Sequence, residues 1–203
     1  VAVSFPGPEE LPGTLRQLPG SELIVADDRL PAAPVAVAVD AATLERLGGL
    51  AAVFGSSGRT VCIDHHVSNT GFADFDLIDA TADCTAVLVL DVLDALGAEV
   101  TADIATCLFA GLVTDTGSFK WARPASFTVA GRLTEAGVDS AEWFIGSEQH
   151  HDVASLAEHL VGHVEETSER PIDPIASRTE VLVGVLGHHQ LPSASFGVAA
   201  SVR

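Results

Sequence analysis

Positive charge is scarce in this sequence. One lysine, Lys120, and nine arginines stand against 28 acidic residues, giving a formal net charge of −18. Such a surface repels a long nucleic-acid duplex, because affinity for one comes mainly from Lys and Arg neutralising phosphates. A small anionic substrate stays open if bound metal ions supply positive charge locally. Long apolar runs are missing too. None reaches the roughly 18 residues that a membrane span needs. The N-terminus has neither the basic segment nor the small-residue cleavage site of a signal peptide, so a cytoplasmic setting without membrane attachment is expected. Cysteine is sparse, at three residues. Cys62, Cys84 and Cys107 lie inside apolar segments and form no CxxC pair. They read as reduced core residues, against a disulfide framework or a thiolate zinc site. Methionine is absent altogether, the initiator included. The chain starts directly on an apolar run, and it is expected to lack its true N-terminus.

Apolar residues make up 47% of the 203, enough for a sizeable core. Val1 to Phe5 reads as a short strand and Glu22 to Ala26 as a second short apolar run, separated by a Pro/Gly-punctuated stretch. Pro34 to Asp40 is continuous and β-branched, the pattern of a strand buried on both faces. A helix is expected over Ala42 to Leu50, a loop over Gly55 to Gly58, and a second buried strand over Arg59 to Ile63. Further helices are expected from Asp83 or Thr85 to Leu96, with Gly97 as the stop, from Ala102 to Val113, and from Ala125 to Ala136. Ser140 to about Glu166 reads as helix, and Thr167 to Pro174 as a linker. Glu180 to Leu186 and Phe196 to Val202 read as strands. Alternation of strands and helices over the first two thirds argues for an α/β fold, with a mostly parallel sheet flanked by helices. In such sheets ligands bind at the carboxyl ends of the strands.

Two of the buried strands end on residues that ligate metals. One ends in Asp40 and the other runs straight into Asp64-His65-His66. Carboxylates and imidazoles delivered beside a core are costly unless a metal or mutual hydrogen bonds compensate them. Carboxylate with imidazole and no thiolate favours manganese, iron or cobalt, with magnesium or zinc as alternatives. A third acid, Asp115, stands where the Ala102 helix breaks at Thr114-Asp115-Thr116-Gly117. Taken singly, Asp40 could equally be an N-cap of the following helix, and Asp115 a cap of the segment after it. His150-His151, the pair His159 and His163, and His188-His189 read as structural or surface histidines. In particular Glu158 precedes His159, which is not the order of a zinc-protease motif. Gly55 and Gly58 do not fit the spacing of a dinucleotide-binding turn.

Val37-Ala38-Val39-Asp40, Ile63-Asp64-His65-His66 and Gly111 to Phe119 occur in the order of three motifs of the DHH phosphoesterases. The chain resembles that superfamily, in its DHH–DHHA1 branch of nanoRNase/pAp-phosphatase proteins. The resemblance implies a DHH catalytic domain over residues 1–140, a helical connector and linker over 141–175, and the start of a smaller, incomplete α/β DHHA1-like substrate-binding domain over 176–203. It implies a phosphoric ester hydrolase acting on short oligonucleotides or 3'-phosphoadenosine 5'-phosphate by two-metal hydroxide attack. The expected cofactor is Mn2+, two per site, with Mg2+ or Co2+ as alternatives, and a homodimer is a possible assembly. Asp40, His65 and Asp115 correspond to metal ligands and His66 to the histidine that contacts the scissile phosphate. Asp64 corresponds to the acid that supports the imidazoles, and Arg203 to a phosphate-binding arginine. Two motifs of the family are not found. The His-x-x-x-Asp-x-Asp set is expected upstream of Val1, and the Gly-rich C-terminal motif beyond Arg203. Other readings keep the same metals but act on pyrophosphate, polyphosphate or a cyclic-dinucleotide product, or drop catalysis for a regulatory role on the same scaffold.

Overall fold

The computed structural model describes residues 1–6, 15–140 and 200–201. The apolar β-branched runs form a parallel sheet as expected. Strand β1 (Ala36–Val39) pairs with β2 (Thr60–Asp64), and β2 pairs with β3 (Phe75–Ile78), both in parallel. On the other side of β1, the two-residue β4 (Ala200–Ser201) runs antiparallel, so the strand order is β3-β2-β1-β4. The helices are α1 (Leu50–Ser56), α2 (Thr85–Ala95), α3 (Ala102–Asp115) and α4 (Pro124–Glu135).

Alternation along β1 decides what each face of the sheet carries. Ala36 and Ala38 are buried on one face with Leu47, Leu50 and Phe54, where small side chains let α1 approach closely. Val39 and Ile63 are buried on the other face against Leu88 of α2 and Cys107 and Ala110 of α3. A third apolar cluster welds α2, α3 and α4 together through Leu90, Leu108, Phe109, Leu112 and Leu133. The result is an α/β layering with helices on both faces.

Several boundaries differ from the sequence expectation for identifiable reasons. The helix expected over Ala42 to Leu50 is a 3-10 turn at Leu44–Leu47, followed by α1 over Leu50–Ser56. Gly48 separates the two with φ +53, a left-handed conformation that ends a helix. The expected loop at Gly55 therefore begins only after Ser56. The strand expected over Val1 to Phe5 contracts to a single parallel bridge, Val3 to Ile24. Strand β3 was not anticipated; it is short, lies at the sheet edge, and leaves Phe75 62% exposed. Gly97 terminates α2 as expected, at φ +66, with the Ala98 amide donating to the Leu93 carbonyl. The connector and the start of the second domain expected over 141–203 lie outside the described residues, apart from Ala200 and Ser201. Among the described residues, no helix is long and apolar enough to cross a membrane.

All three cysteines are buried and none is in a disulfide, as their apolar surroundings implied. Burial pushes the Cys62 and Cys107 thiols up to about 12, and Cys84 well above its ordinary value. The native protein at pH 8 is expected to show no rapid reaction with a thiol-specific disulfide reagent, and to release three equivalents on unfolding in denaturant. A fast equivalent in the native state would contradict this packing. Above the ordinary thiol pKa the unfolded chain loses these protons while the folded chain keeps them. Stability therefore falls as pH climbs from there toward 12.

Candidate metal centre

The register of the sheet builds the site. Ala36 pairs with Thr60 and Val39 with Ile63, so the next residues, Asp40 and Asp64, emerge together at the carboxyl ends of adjacent parallel strands. The Asp40 amide still donates to the Ile63 carbonyl, at 2.9 Å. The chain then turns sharply, because Asp40 takes φ +59. That left-handed conformation costs a residue with a Cβ about 1–2 kcal/mol, and Asp and Asn tolerate it best. Asp40 is thus held by the fold in an unfavourable backbone state, and it does not cap a helix. Its Oδ1 accepts a hydrogen bond from the Thr85 hydroxyl at 2.7 Å.

The two histidines after β2 are oriented differently. His66 Nδ1 donates to Asp64 Oδ1 at 2.7 Å. The second oxygen of Asp64 accepts from Asn69 Nδ2 at 2.8 Å, and Asn69 also donates to the Ala41 carbonyl. Asp64 is fully buried with both oxygens engaged, so it orients its neighbours. Burial opposes its ionisation, but the His66 hydrogen bond and charge outweigh that and hold its carboxyl below the usual range. Burial likewise opposes charge on His66, and the Asp64 hydrogen bond with the Asp40 and Asp64 charges overcomes it, so His66 titrates above its ordinary value.

His65 behaves in the opposite way. Its Nδ1 stands 3.4 Å from the Ala82 carbonyl, which can only accept, so this nitrogen carries the proton. Burial, with His66 beside it, lowers its pKa and favours the neutral ring. The lone pair is then on Nε2, which is buried and makes no hydrogen bond among the described residues. That atom lies 3.6 Å from Asp40 Oδ1 and 3.5 Å from Asp115 Oδ2. A neutral imidazole lone pair and two carboxylates facing one another in a buried place are mutually unfavourable without a cation, and they are the donor set of a hard to borderline divalent ion.

Asp40, His65 and His66 form a group whose ligand atoms all lie within 4.8 Å of one another. Asp115, the last residue of α3, meets the group through His65. Four of the sequence-derived candidates therefore converge, with Asp64 directly behind them. Arg203 lies outside the described residues, as do His150, His151, His159, His163, His188 and His189. Two residues that hold the site were not singled out as such, Asn69 and Thr85. A buried Asn five residues past an acid, and a Thr opening a helix, are too common to signal such roles in sequence.

No protein-family model matches the chain. A curated relative, the bifunctional oligoribonuclease and PAP phosphatase NrnA of Thermus thermophilus, is 38% identical over 117 residues, which make up 57% of this chain and 35% of that protein. The resemblance to the DHH phosphoesterases is borne out. An uncharacterized protein of Mycoplasma genitalium is 35% identical over 82 residues, 39% of this chain and 25% of that one. The chain thus spans about a third of the length of the Thermus DHH relative and about a quarter of the Mycoplasma one. In fold, the chain matches the crystal structure of an exopolyphosphatase-related protein from Bacteroides fragilis. The TM-score is 0.60, with 23% identity, over 77% of this chain and 49% of that one. The expected α/β fold, a mostly parallel sheet flanked by helices, agrees with that likeness.

Proposed function

We propose that this chain carries the metal-holding and phosphate-handling part of a DHH phosphoesterase that hydrolyses short oligonucleotides or 3'-phosphoadenosine 5'-phosphate. The observation that carries the reading is the convergence of His65 Nε2 with Asp40 and Asp115 at 3.6 and 3.5 Å, at the carboxyl ends of the parallel strands. The substrate class is supported by the Thermus relative, whose name gives oligoribonuclease and PAP phosphatase activity. Asp40, His65 and Asp115 hold divalent cations, Mn2+ foremost. When bound, these supply Lewis acidity and the positive charge that a chain of net charge −18 lacks. His66 uses its other ring nitrogen, Nε2, toward the phosphoryl oxygens, since Nδ1 is committed to Asp64. Its raised pKa favours the imidazolium, which suits it to donate to developing negative charge. Asp64 fixes the His66 ring through one oxygen, and Asn69 fixes Asp64 through the other. Residues 141–175 then connect this DHH domain to a DHHA1-like substrate domain beginning at 176, where Arg203 binds phosphate.

Substrate class is decided by measuring three releases side by side with Mn2+ present: mononucleotide from a dinucleotide, phosphate from 3'-phosphoadenosine 5'-phosphate, and phosphate from pyrophosphate. Release from the first two and little from the third is expected, and pyrophosphate turnover alone would overturn the nucleotide assignment. His66 also lies within the tight group with Asp40 and His65, so its role needs its own test. His66→Ala is expected to lower turnover by roughly 10²- to 10³-fold while Mn2+ content stays at the wild-type level. Loss of the metal instead would make His66 a ligand.

A further inference from the structure

The residues from Asp79 to Cys84 join β3 to α2, and this connection and the first residue of the helix it leads into each touch the metal centre. The Ala82 carbonyl sets the tautomer of His65, at 3.4 Å from Nδ1. Thr85, the first residue of α2, places its hydroxyl on Asp40 Oδ1 at 2.7 Å. The position of this connection therefore decides how two candidate ligands are aimed.

The connection is fastened from outside the site by α4, which belongs to no motif. Asp83 Oδ2 accepts from the Arg123 amide at 2.6 Å and from the Ser126 hydroxyl at 2.5 Å. Asp83 Oδ1 pairs with Arg123 Nε at 3.1 Å. The Arg123 guanidinium also donates to the Thr81 carbonyl, so the connection is gripped on both sides of Ala82. Arg123 is the N-cap of α4 and its own side chain makes no capping bond there. The carboxylate of Asp83, 40 residues earlier, takes that place at the positive end of the helix. Asp83 is 6% exposed at its side chain, whereas the Arg123 side chain is 57% exposed.

We infer that Asp83, Arg123 and Ser126 form a positioning clamp that aims His65 and Thr85-bound Asp40 at the metal, without touching metal or substrate. This rests on the metal-site reading above. A partner that orients a ligand from behind typically sets metal affinity by about 10- to 100-fold.

The test titrates the full chain with Mn2+ by calorimetry and measures turnover and thermal midpoint in parallel. Asp83→Ala is expected to weaken Mn2+ binding by roughly 10-fold and to lower kcat with KM little changed. Asp83→Asn, which keeps an acceptor for the Arg123 amide, should fall between that variant and wild type. Arg123→Ala leaves the backbone bond in place and should give a smaller loss, partly restored in Arg123→Lys. Arg132→Ala is the control. It removes an exposed ion pair between α4 and α2, with Asp94, that grips no part of the Asp79–Cys84 connection. It should leave Mn2+ affinity unchanged whatever it does to the midpoint. Unaltered Mn2+ affinity in Asp83→Ala would overturn the clamp alone. Equal losses in Asp83→Ala and Arg132→Ala would overturn it as well, because general loosening would then explain both. A wild-type chain that takes up no Mn2+ would overturn the metal-site reading and the clamp together.

Discussion

Asp40→Asn is expected to abolish Mn2+ binding and phosphoester hydrolysis while leaving the fold intact. Asparagine tolerates the φ of +59 at this position as well as aspartate does, so the turn after β1 survives. The amide oxygen can still accept from Thr85 in place of Oδ1. What disappears is a negative charge 3.6 Å from His65 Nε2, and with it the pull on a divalent ion. The loss should exceed the roughly 100-fold that removal of an outer hydrogen-bond partner can cause, since a direct ligand is removed. Stability should move the other way. Asp40 is 1% exposed and shares its surroundings with Asp64 and Asp115, so metal-free wild type holds several buried acids together. The metal-free Asn variant should melt at or above the wild-type temperature. Wild type should gain about 2.7 kcal/mol from Mn2+ at 100 times its Kd, and the variant nothing. Paired melting curves with and without Mn2+ check this; an Asn variant still stabilised by the ion would remove Asp40 from the site.

The part of this site that could be read from sequence is the part delivered by periodic structure. Val35 to Val39 and Val61 to Ile63 are apolar runs with no polar interruption, and each stops at a residue that no core accepts without compensation. Parallel pairing then forces Asp40 and Asp64 to one edge, which the register confirms. Asp115 follows from the same logic at the end of an α3 buried along much of its length. The supports were not legible, because each is a contact between residues far apart in the chain. Thr85 reaches Asp40 across 45 positions, and Ser126 reaches Asp83 across 43. Nothing local distinguishes such a threonine from any other helix opener. β3 escaped for a different reason: it is an edge strand of four residues with Phe75 and Leu77 exposed, and so short a run among Asp74, Asp76 and Asp79 does not stand out from a loop. The helix after Asp40 breaks where local propensity favours a break, at Gly48 with its φ of +53, and Pro6 stands 3.0 Å from the place a Cβ would take there.

Gly117→Ala should be among the most destabilising single substitutions in the described part of the chain. Gly117, Ser118 and Phe119 all take positive φ, at 57, 57 and 65 degrees, so the chain leaves α3 through a left-handed turn directly after Asp115 and Thr116. Hydrogen bonds close that turn tightly. The Ser118 amide donates to the Val113 carbonyl, the Phe119 amide to the Thr116 hydroxyl, and the Trp121 amide to the Thr116 carbonyl. The turn sets Phe119 against Phe127 of α4 in a stack with centroids 5.4 Å apart, which ties the end of α3 to the next helix. It also lays the Trp121 ring on Gly117, where a Cβ would stand 2.1 Å from a ring carbon. A methyl group there meets two independent costs. The left-handed conformation contributes about 1–2 kcal/mol, and forcing the ring aside about 1–3 kcal/mol more. A fall of roughly 10 °C in melting temperature is expected for a chain of this size. The two parts separate in a cycle with Trp121→Ala. The double variant should recover the steric share and keep the backbone share, because removing the indole does nothing for φ. If Gly117→Ala melts with wild type, neither the close ring nor the left-handed turn holds Asp115 in place.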